Sequence, residues 1–390
     1  MKINAKILSV AAPVLAAAIV VSGIAAAAHI DKINNGKITP SGEEIPPAQI
    51  ADSSATIVAV GDNLIQSAII ESCQTGSGYD FSPLYSNVKK YISEADVAAL
   101  NQETLLGGDE FEISGQTLYN SPQEVGDAAA DAGFNVFTTA NDHVMDMGTQ
   151  GVLSQISYFE KLGGVVYTGT SKSEEDYNNI KYIEKNGIKI ALLNYTFGTN
   201  GITVPEDKSY LVNMLDDKVK IANDIKTANQ EADFVTVFVH WGTDHSKEIS
   251  SYQESYATLF ADCGADAVFG TNPQVIEPVK WVESKKSGKK TLVFYSLGCF
   301  VSHQLDKDGL VGAMATLEIK RKNGKTEIDN ASVTPLITHF SQTDGVTSFS
   351  VYRYSDYSNS LAESQVVDGV TKDYVSDLFE NVVDSQFIDY

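Results

Sequence analysis

Short apolar runs that end on polar residues recur along the chain. Residues 56–60 run into Gly61-Asp62, residues 97–100 into Asn101-Gln102-Glu103, and residues 136–140 into Asn141-Asp142-His143. Later, residues 234–239 give way to His240-Trp241-Gly242, residues 267–269 to Gly270, and residues 292–295 to Ser296-Leu297-Gly298. Apolar runs this short, rich in β-branched and aromatic residues, read as buried strands. Between them, residues 122–132, 148–162, 218–231 and 253–263 carry apolar side chains at helical spacing. Strand, polar loop and helix alternate to about residue 315, which predicts a layered α/β domain. Periodicity alone leaves open whether there is one sheet or two.

The two ends depart from this alternation. Lys2 and Lys6 precede an apolar run at residues 7–28, the pattern of an export signal. About 20 apolar residues suffice to cross a bilayer, and lysines before the run keep the N-terminus inside and the rest of the chain outside. Pro13 and the small residues Ala25 and Ala27 also suit a cleaved signal, so residues 1–30 are expected to be a signal peptide or a membrane anchor. The product is then membrane-anchored with an extracytoplasmic domain, or secreted. Residues 31–52 mix Pro, Gly, Asn and charge without periodicity and read as a linker. The folded domain is expected at residues 53–340, followed by an accessory segment at 341–390 that contains one amphipathic helix within 370–384.

A chain of 390 residues, 43% hydrophobic, can bury one large core or two modest ones. Its net charge of −23 repels phosphate backbones, so nucleic acid is not an expected partner. Lys280, Lys285, Lys286, Lys289 and Lys290 form a local basic run, which reads first as a solvated hairpin and alternatively as a grip for a polyanion. Three cysteines, Cys73, Cys263 and Cys299, are too few for a disulfide framework. They read as buried small hydrophobes, with a Cys263–Cys299 bridge as the alternative.

The polar residues at the predicted strand ends are those that a hard divalent ion requires. Asp62, Asn101, Glu103, Asn141, Asp142, His143, His240 and Asp244 supply carboxylate, amide and imidazole groups at successive strand ends, where α/β folds gather their ligands. Any one of them would ordinarily cap a turn or helix; it is their recurrence that points to a site. Asp146 follows His143 by three residues, close enough to orient the imidazole if a helical turn begins there. A histidine so held beside metal ligands can protonate a leaving oxygen.

Gly61-Asp62, Asn101-Gln102-Glu103, Ala140 through Gly148 (ANDHVMDMG), His240-Trp241-Gly242-Thr243-Asp244, Gly270-Thr271-Asn272-Pro273-Gln274 and Tyr295-Ser296-Leu297-Gly298-Cys299-Phe300 stand in the order found in the CapA-type capsule and poly-γ-glutamate biosynthesis proteins. Residues 53–340 resemble that family. The resemblance implies a calcineurin-like metallophosphoesterase plan, a four-layer αββα sandwich, and a role in making or attaching a capsule polymer. It implies that Asp62, Glu103, Asp142 and His240 hold a divalent metal (Mn, Mg, Fe or Zn), joined by the residues at 272 and 274. It makes His143, with Asp146, the catalytic acid, and lines the site with Asn101, Asn141, Asp244 and Ser296. The implied partners are an extracellular anionic polymer or membrane-embedded synthesis proteins, with the N-terminal segment in the cytoplasmic membrane.

The chain also departs from the family pattern. Asn141-Asp142-His143 stands for Asn-Asn-His, Asp244 for Glu, Cys299 for Asn, and Asn272-Pro273-Gln274 for His-Pro-His. The last exchange turns two imidazoles into amides, which suit hard ions better than zinc. Two other readings stay open: a working phosphoesterase unconnected with capsule, and a non-catalytic scaffold that binds polymer or a membrane partner.

Overall fold

In the computed structural model, residues 52–390 are described; the expected export segment and most of the linker lie outside them. Among the described residues no helix is long and apolar enough to cross a membrane. Residues Ser53–Arg321 and Lys325–Tyr390 form one compact unit.

Two sheets make up that unit. Strands β1 (Ser53–Asn63), β2 (Val97–Asn101), β5 (Val136–Thr138), β6 (Val166–Thr168), β13 (Cys299–Val301), β14 (Val311–Lys322), β15 (Lys325–Thr343) and β16 (Val346–Arg353) form the larger. Its order is β16-β15-β14-β1-β2-β5-β6, with β13 also paired to β1. The six-stranded sheet runs in the order β11 (Val279–Glu283), β12 (Lys290–Phe294), β10 (Ala267–Thr271), β9 (Phe234–His240), β8 (Ile188–Thr196), β7 (Lys181–Lys185). A separate hairpin joins β3 (Ser114–Gln116) to β4 (Leu118–Asn120).

The alternation of side chains in β9 shows how the layers are held. Phe234 and Phe238 point into the core shared by the two sheets, where they meet residues such as Ile57, Leu100, Phe269 and Phe294. Val235, Val237 and Val239 point to the opposite face, where Ile221, Ile225, Tyr256 and Phe260 from the helices Lys218–Glu231 and Ser251–Cys263 cover them. A strand buried on both faces reads in sequence as one continuous apolar run, as this one does. The helices Glu124–Ala132 and Gly148–Leu162 bury Val125, Ala129 and Phe159 in the same core as β2 and β5, completing the αββα order.

The chain beyond residue 340 shares this core. β15 crosses that position, β16 pairs with it in antiparallel register from Leu336↔Arg353 to Thr343↔Val346, and the helix Lys372–Val382 buries Val375, Leu378 and Phe379. All three cysteines are free. Cys299 is fully buried, and desolvation, then the Asp62 and Glu103 charges, push its thiol well above the usual range.

Gly61 sets the approach of β1 to β13. A Cβ there would lie 1.7 Å from the Gly298 carbonyl oxygen, and the same contact lets the Asp62 N–H donate to that oxygen at 3.0 Å. Backbone cannot yield as a flexible side chain can. Gly61→Ala is therefore expected to cost about 3 kcal/mol or more, read by chemical denaturation against wild type.

Candidate metal centre

The carboxyl ends of the parallel strands in both sheets deliver the predicted residues to one place. Asp62 is the last residue but one of β1, Asn101 ends β2, His240 ends β9, and Glu103 and the Asn141–His143 loop follow β2 and β5. Parallel strands turn their carboxyl ends the same way, so their following loops converge.

Asp62 is fully buried. Its Oδ1 accepts from Asn101 Nδ2 at 2.7 Å and its Oδ2 from the Asn272 N–H at 3.2 Å. His240 Nδ1 lies 3.9 Å from Asp62 Oδ1 and 3.0 Å from Thr271 Oγ1. The other ring nitrogen of His240 lies 3.0 Å from Asp142 Oδ1. Asn141 clamps the loop: its Nδ2 donates to the Gln102 carbonyl at 2.8 Å and its Oδ1 accepts from the His143 N–H at 3.1 Å.

His143 Nδ1 meets Asp146 Oδ2 at 2.8 Å, so the i,i+3 spacing does bring the acid to the ring. Nε2 is left facing Asp142 Oδ2 at 3.7 Å. One ligand atom each from Glu103, Asp142 and His143 lie within 4.8 Å of one another. Asp244 is exposed and accepts from Asn272 Nδ2 at 3.3 Å.

Two predicted positions are engaged elsewhere. Gln274 Oε1 accepts from Gln304 Nε2 at 2.5 Å. Ser296 Oγ donates to the Val275 carbonyl at 2.7 Å and accepts from the Gly298 N–H at 3.1 Å, bracing the loop that follows Asn272. Asn272 and Gln274 both take positive φ, +94° and +60°, a conformation that non-glycine residues adopt at a cost.

The charges are crowded, and among the described residues histidines alone pair with them. Desolvation raises the Asp62 carboxyl, opposed by His240. Glu103 is raised well above the usual range, first by burial and then by the Asp62, Asp142 and Asp244 charges. Asp142 is also desolvated, but hydrogen bonding and charge from His240 and charge from His143 bring it below its ordinary value. Burial acts against protonated His143, yet Asp146 and Asp142 raise it above its ordinary value. Among the described residues, only histidines pair with Asp62, Asp142 and Asp146, with no lysine or arginine at ion-pair distance. Glu103 Oε2 is buried without a hydrogen-bond partner. Buried carboxylates in this condition are relieved by taking up a proton or a cation, and this set of oxygens and imidazole suits a hard or borderline divalent ion.

Two neighbours, Tyr119 and Phe197, gave no sequence signal of their own. The Tyr119 ring packs edge-on to His143 at 4.5 Å, and its N–H donates to Asp146 Oδ2 at 2.6 Å. Phe197, 42% exposed, stacks over the His240 ring at 6.2 Å. Thr271 holds His240 as described. Hairpin β3–β4 and the loop after β8 lie far from His143 and His240 in sequence, so only folding joins them.

The family model described as "Bacterial capsule synthesis protein PGA_cap" matches residues 56–304. Among curated proteins, the chain is 29% identical over 258 residues to "Capsule biosynthesis protein CapA" of Bacillus anthracis, covering 64% of this chain and 60% of that one. It is 31% identical over 220 residues to "PGA biosynthesis protein CapA" of Bacillus subtilis, covering 54% and 52% respectively. The matched region thus spans between half and three fifths of those relatives. Among solved structures, the NAD nucleotidase of Haemophilus influenzae matches at TM-score 0.48 and 10% identity, covering 87% of this chain and 57% of that chain. The calcineurin-like phosphoesterase YfkN of Bacillus subtilis matches at 0.44 and 12%, covering 85% and 98%.

Proposed function

We propose that this chain, which belongs to the bacterial capsule synthesis protein family PGA_cap, supports synthesis or attachment of a capsule polymer of the poly-γ-glutamate type through a metal-dependent hydrolase-type site. The observation that carries the reading is the unpartnered buried oxygen of Glu103 amid Asp62 and Asp142. In this reading Asp62, Glu103, Asp142 and His240 hold a divalent ion, with Asn272 as a neighbouring amide. Such an ion, when bound, polarises a carbonyl or ester and lowers the pKa of water. The chain's own residues do the rest. Asn101 and the Asn272 N–H fix the Asp62 carboxylate, Thr271 and Asp142 fix the His240 ring, and Asp146 Oδ2 accepts from the His143 Nδ1–H. His143 Nε2 is then the atom that passes a proton to the leaving group. The export pattern of residues 1–30 supports a location for this chemistry outside the cytoplasmic membrane, either anchored or released.

Elemental analysis tests the reading. The full chain, purified without chelators, is expected to carry Mn, Fe, Mg or Zn, and Asp62→Ala is expected to lose most of it. Failure of wild type to bind any divalent ion, even after supplementation, would sink the proposal. One observation favours a second reading, a scaffold that binds polymer without cleaving it: the Gln274 amide is committed to Gln304. That reading predicts normal capsule after His143→Ala.

A further inference from the structure

Four of the five lysines of the β11–β12 hairpin, Lys285, Lys286, Lys289 and Lys290, lie at the end of the six-stranded sheet remote from the metal centre. Residues 280–290 hold five lysines against one acid, Glu283, in a chain of net charge −23. They lie on β11, on the turn at 284–289 and at the start of β12. His240 and Thr271 end β9 and β10, whereas Phe234 begins β9 and Lys290 begins β12, which runs parallel to β10. With strands of five to seven residues, the turn sits about 20 Å from the metal centre, at roughly 3.3 Å per residue.

A cavity of about 470 Å³ opens beside this hairpin, lined by Phe234, Trp281, Lys289, Lys290 and Lys325 among others. Its cations are partly answered from within, Lys289 pairing with Asp266 at 2.7 Å and Lys325 with Glu327; outside it, Lys286 pairs with Asp262 at 3.3 Å. Lys280, Lys285 and Lys290 are exposed, and among the described residues none has a carboxylate at ion-pair distance. Trp281 is 44% exposed on the same hairpin. β11 is an edge strand, so one row of its backbone groups is open.

We propose that this hairpin and its cavity dock an extended polycarboxylate chain. An acidic protein repels a polyanion over most of its surface, so binding concentrates where the local field reverses. The free ammonium groups of Lys285 on the turn and Lys290 at the start of β12 meet carboxylates spaced along a polymer, while the indole of Trp281 covers its methylene stems. The choice of a carboxylate polymer over other anions rests on the capsule reading; the preference for a polyanion rests on charge alone. Docking here would hold the polymer by a segment remote from the carboxylate-rich centre.

The test uses the full chain in detergent and fluorescently labelled poly-γ-glutamate, followed by anisotropy at low and physiological salt. Lys285→Glu/Lys286→Glu/Lys290→Glu is expected to weaken binding about tenfold or more and to flatten its salt dependence. Trp281→Ala should weaken it about threefold. Lys90→Glu/Lys161→Glu/Lys226→Glu matches the change in net charge at exposed sites elsewhere and should change binding less than twofold. Equal loss in both triple variants would make the effect one of net charge, and no loss in the hairpin variant would exclude the site; either overturns the proposal. So would binding of wild type to phosphatidylglycerol vesicles but not to polymer, which would make the hairpin a membrane contact. Thermal unfolding of each variant separates lost binding from lost fold. The hairpin triple variant should keep the metal content of wild type, read by elemental analysis, so failure of the metal reading and failure of this one are told apart.

Discussion

Glu277→Gln is expected to make the protein more stable at pH 9 and to leave it nearly unchanged at pH 5. Glu277 is 1% exposed. One oxygen accepts from Gln253 Nε2 at 2.5 Å and the other has no partner. The donor cannot turn away, because Gln253 Oε1 is held by the Ser250 N–H and hydroxyl in the capping box of the helix Ser251–Cys263. Burial pushes the Glu277 carboxyl from its ordinary 4.5 up to about 8. The sign follows from proton linkage. Between those values the folded chain holds a proton that the unfolded chain has lost, so stability falls as pH rises from about 4.5 through about 8. At about 1.36 kcal/mol per pH unit the loss reaches at most about 5 kcal/mol. Glutamine keeps the carbonyl acceptor for Gln253 and never ionises. The variant should therefore gain about 3–5 kcal/mol over wild type at pH 9 and less than about 1 kcal/mol at pH 5, read by urea denaturation at both pH values. A wild-type-to-variant difference that does not change with pH would mean that Glu277 does not carry this proton.

The second large effect concerns His143. If the metal-loaded protein cleaves capsule polymer, His143→Ala should lower turnover about 10²–10⁴-fold, the span that a positioned general acid contributes. Fragment release from polymer, followed by size, measures it. The same variant decides the role of the ring. Nδ1 is taken by Asp146 Oδ2, whereas Nε2 faces a space that Glu103 and Asp142 also border. Retained metal with lost turnover makes His143 the acid; lost metal makes it a ligand. Asp146→Asn should cost less, about tenfold, because it weakens the orientation of the ring and leaves the ring in place.

Local pattern carried much of the fold. The helices expected at 148–162 and 218–231 appear as Gly148–Leu162 and Lys218–Glu231. The run expected at 234–239 is β9. The antiparallel strands β14 to β16 fell past the point where βα alternation stops, so residues 341–390 read as an appendage. Yet Asp344-Gly345, at φ +52° and +80° between paired Thr343 and Val346, is a two-residue hairpin turn of the kind that Asp-Gly favours. That signal was present in the sequence and outweighed by composition.

By itself, the sequence determined which side chains stand at strand ends, because a strand buried on both faces must be apolar until it leaves the sheet, and the first polar residues mark the exit. It thereby named Asp62, Glu103, Asp142, His143 and His240. Tertiary structure alone decided which of their atoms meet. Asp62 and His240 come from different sheets, Tyr119 reaches His143 from a separate hairpin, and one oxygen of Glu103 is buried without a partner. Periodicity reports what each segment buries. It does not report which distant segment lies across the gap, and the energetics of a charged centre depend on that distance and on the water excluded from it.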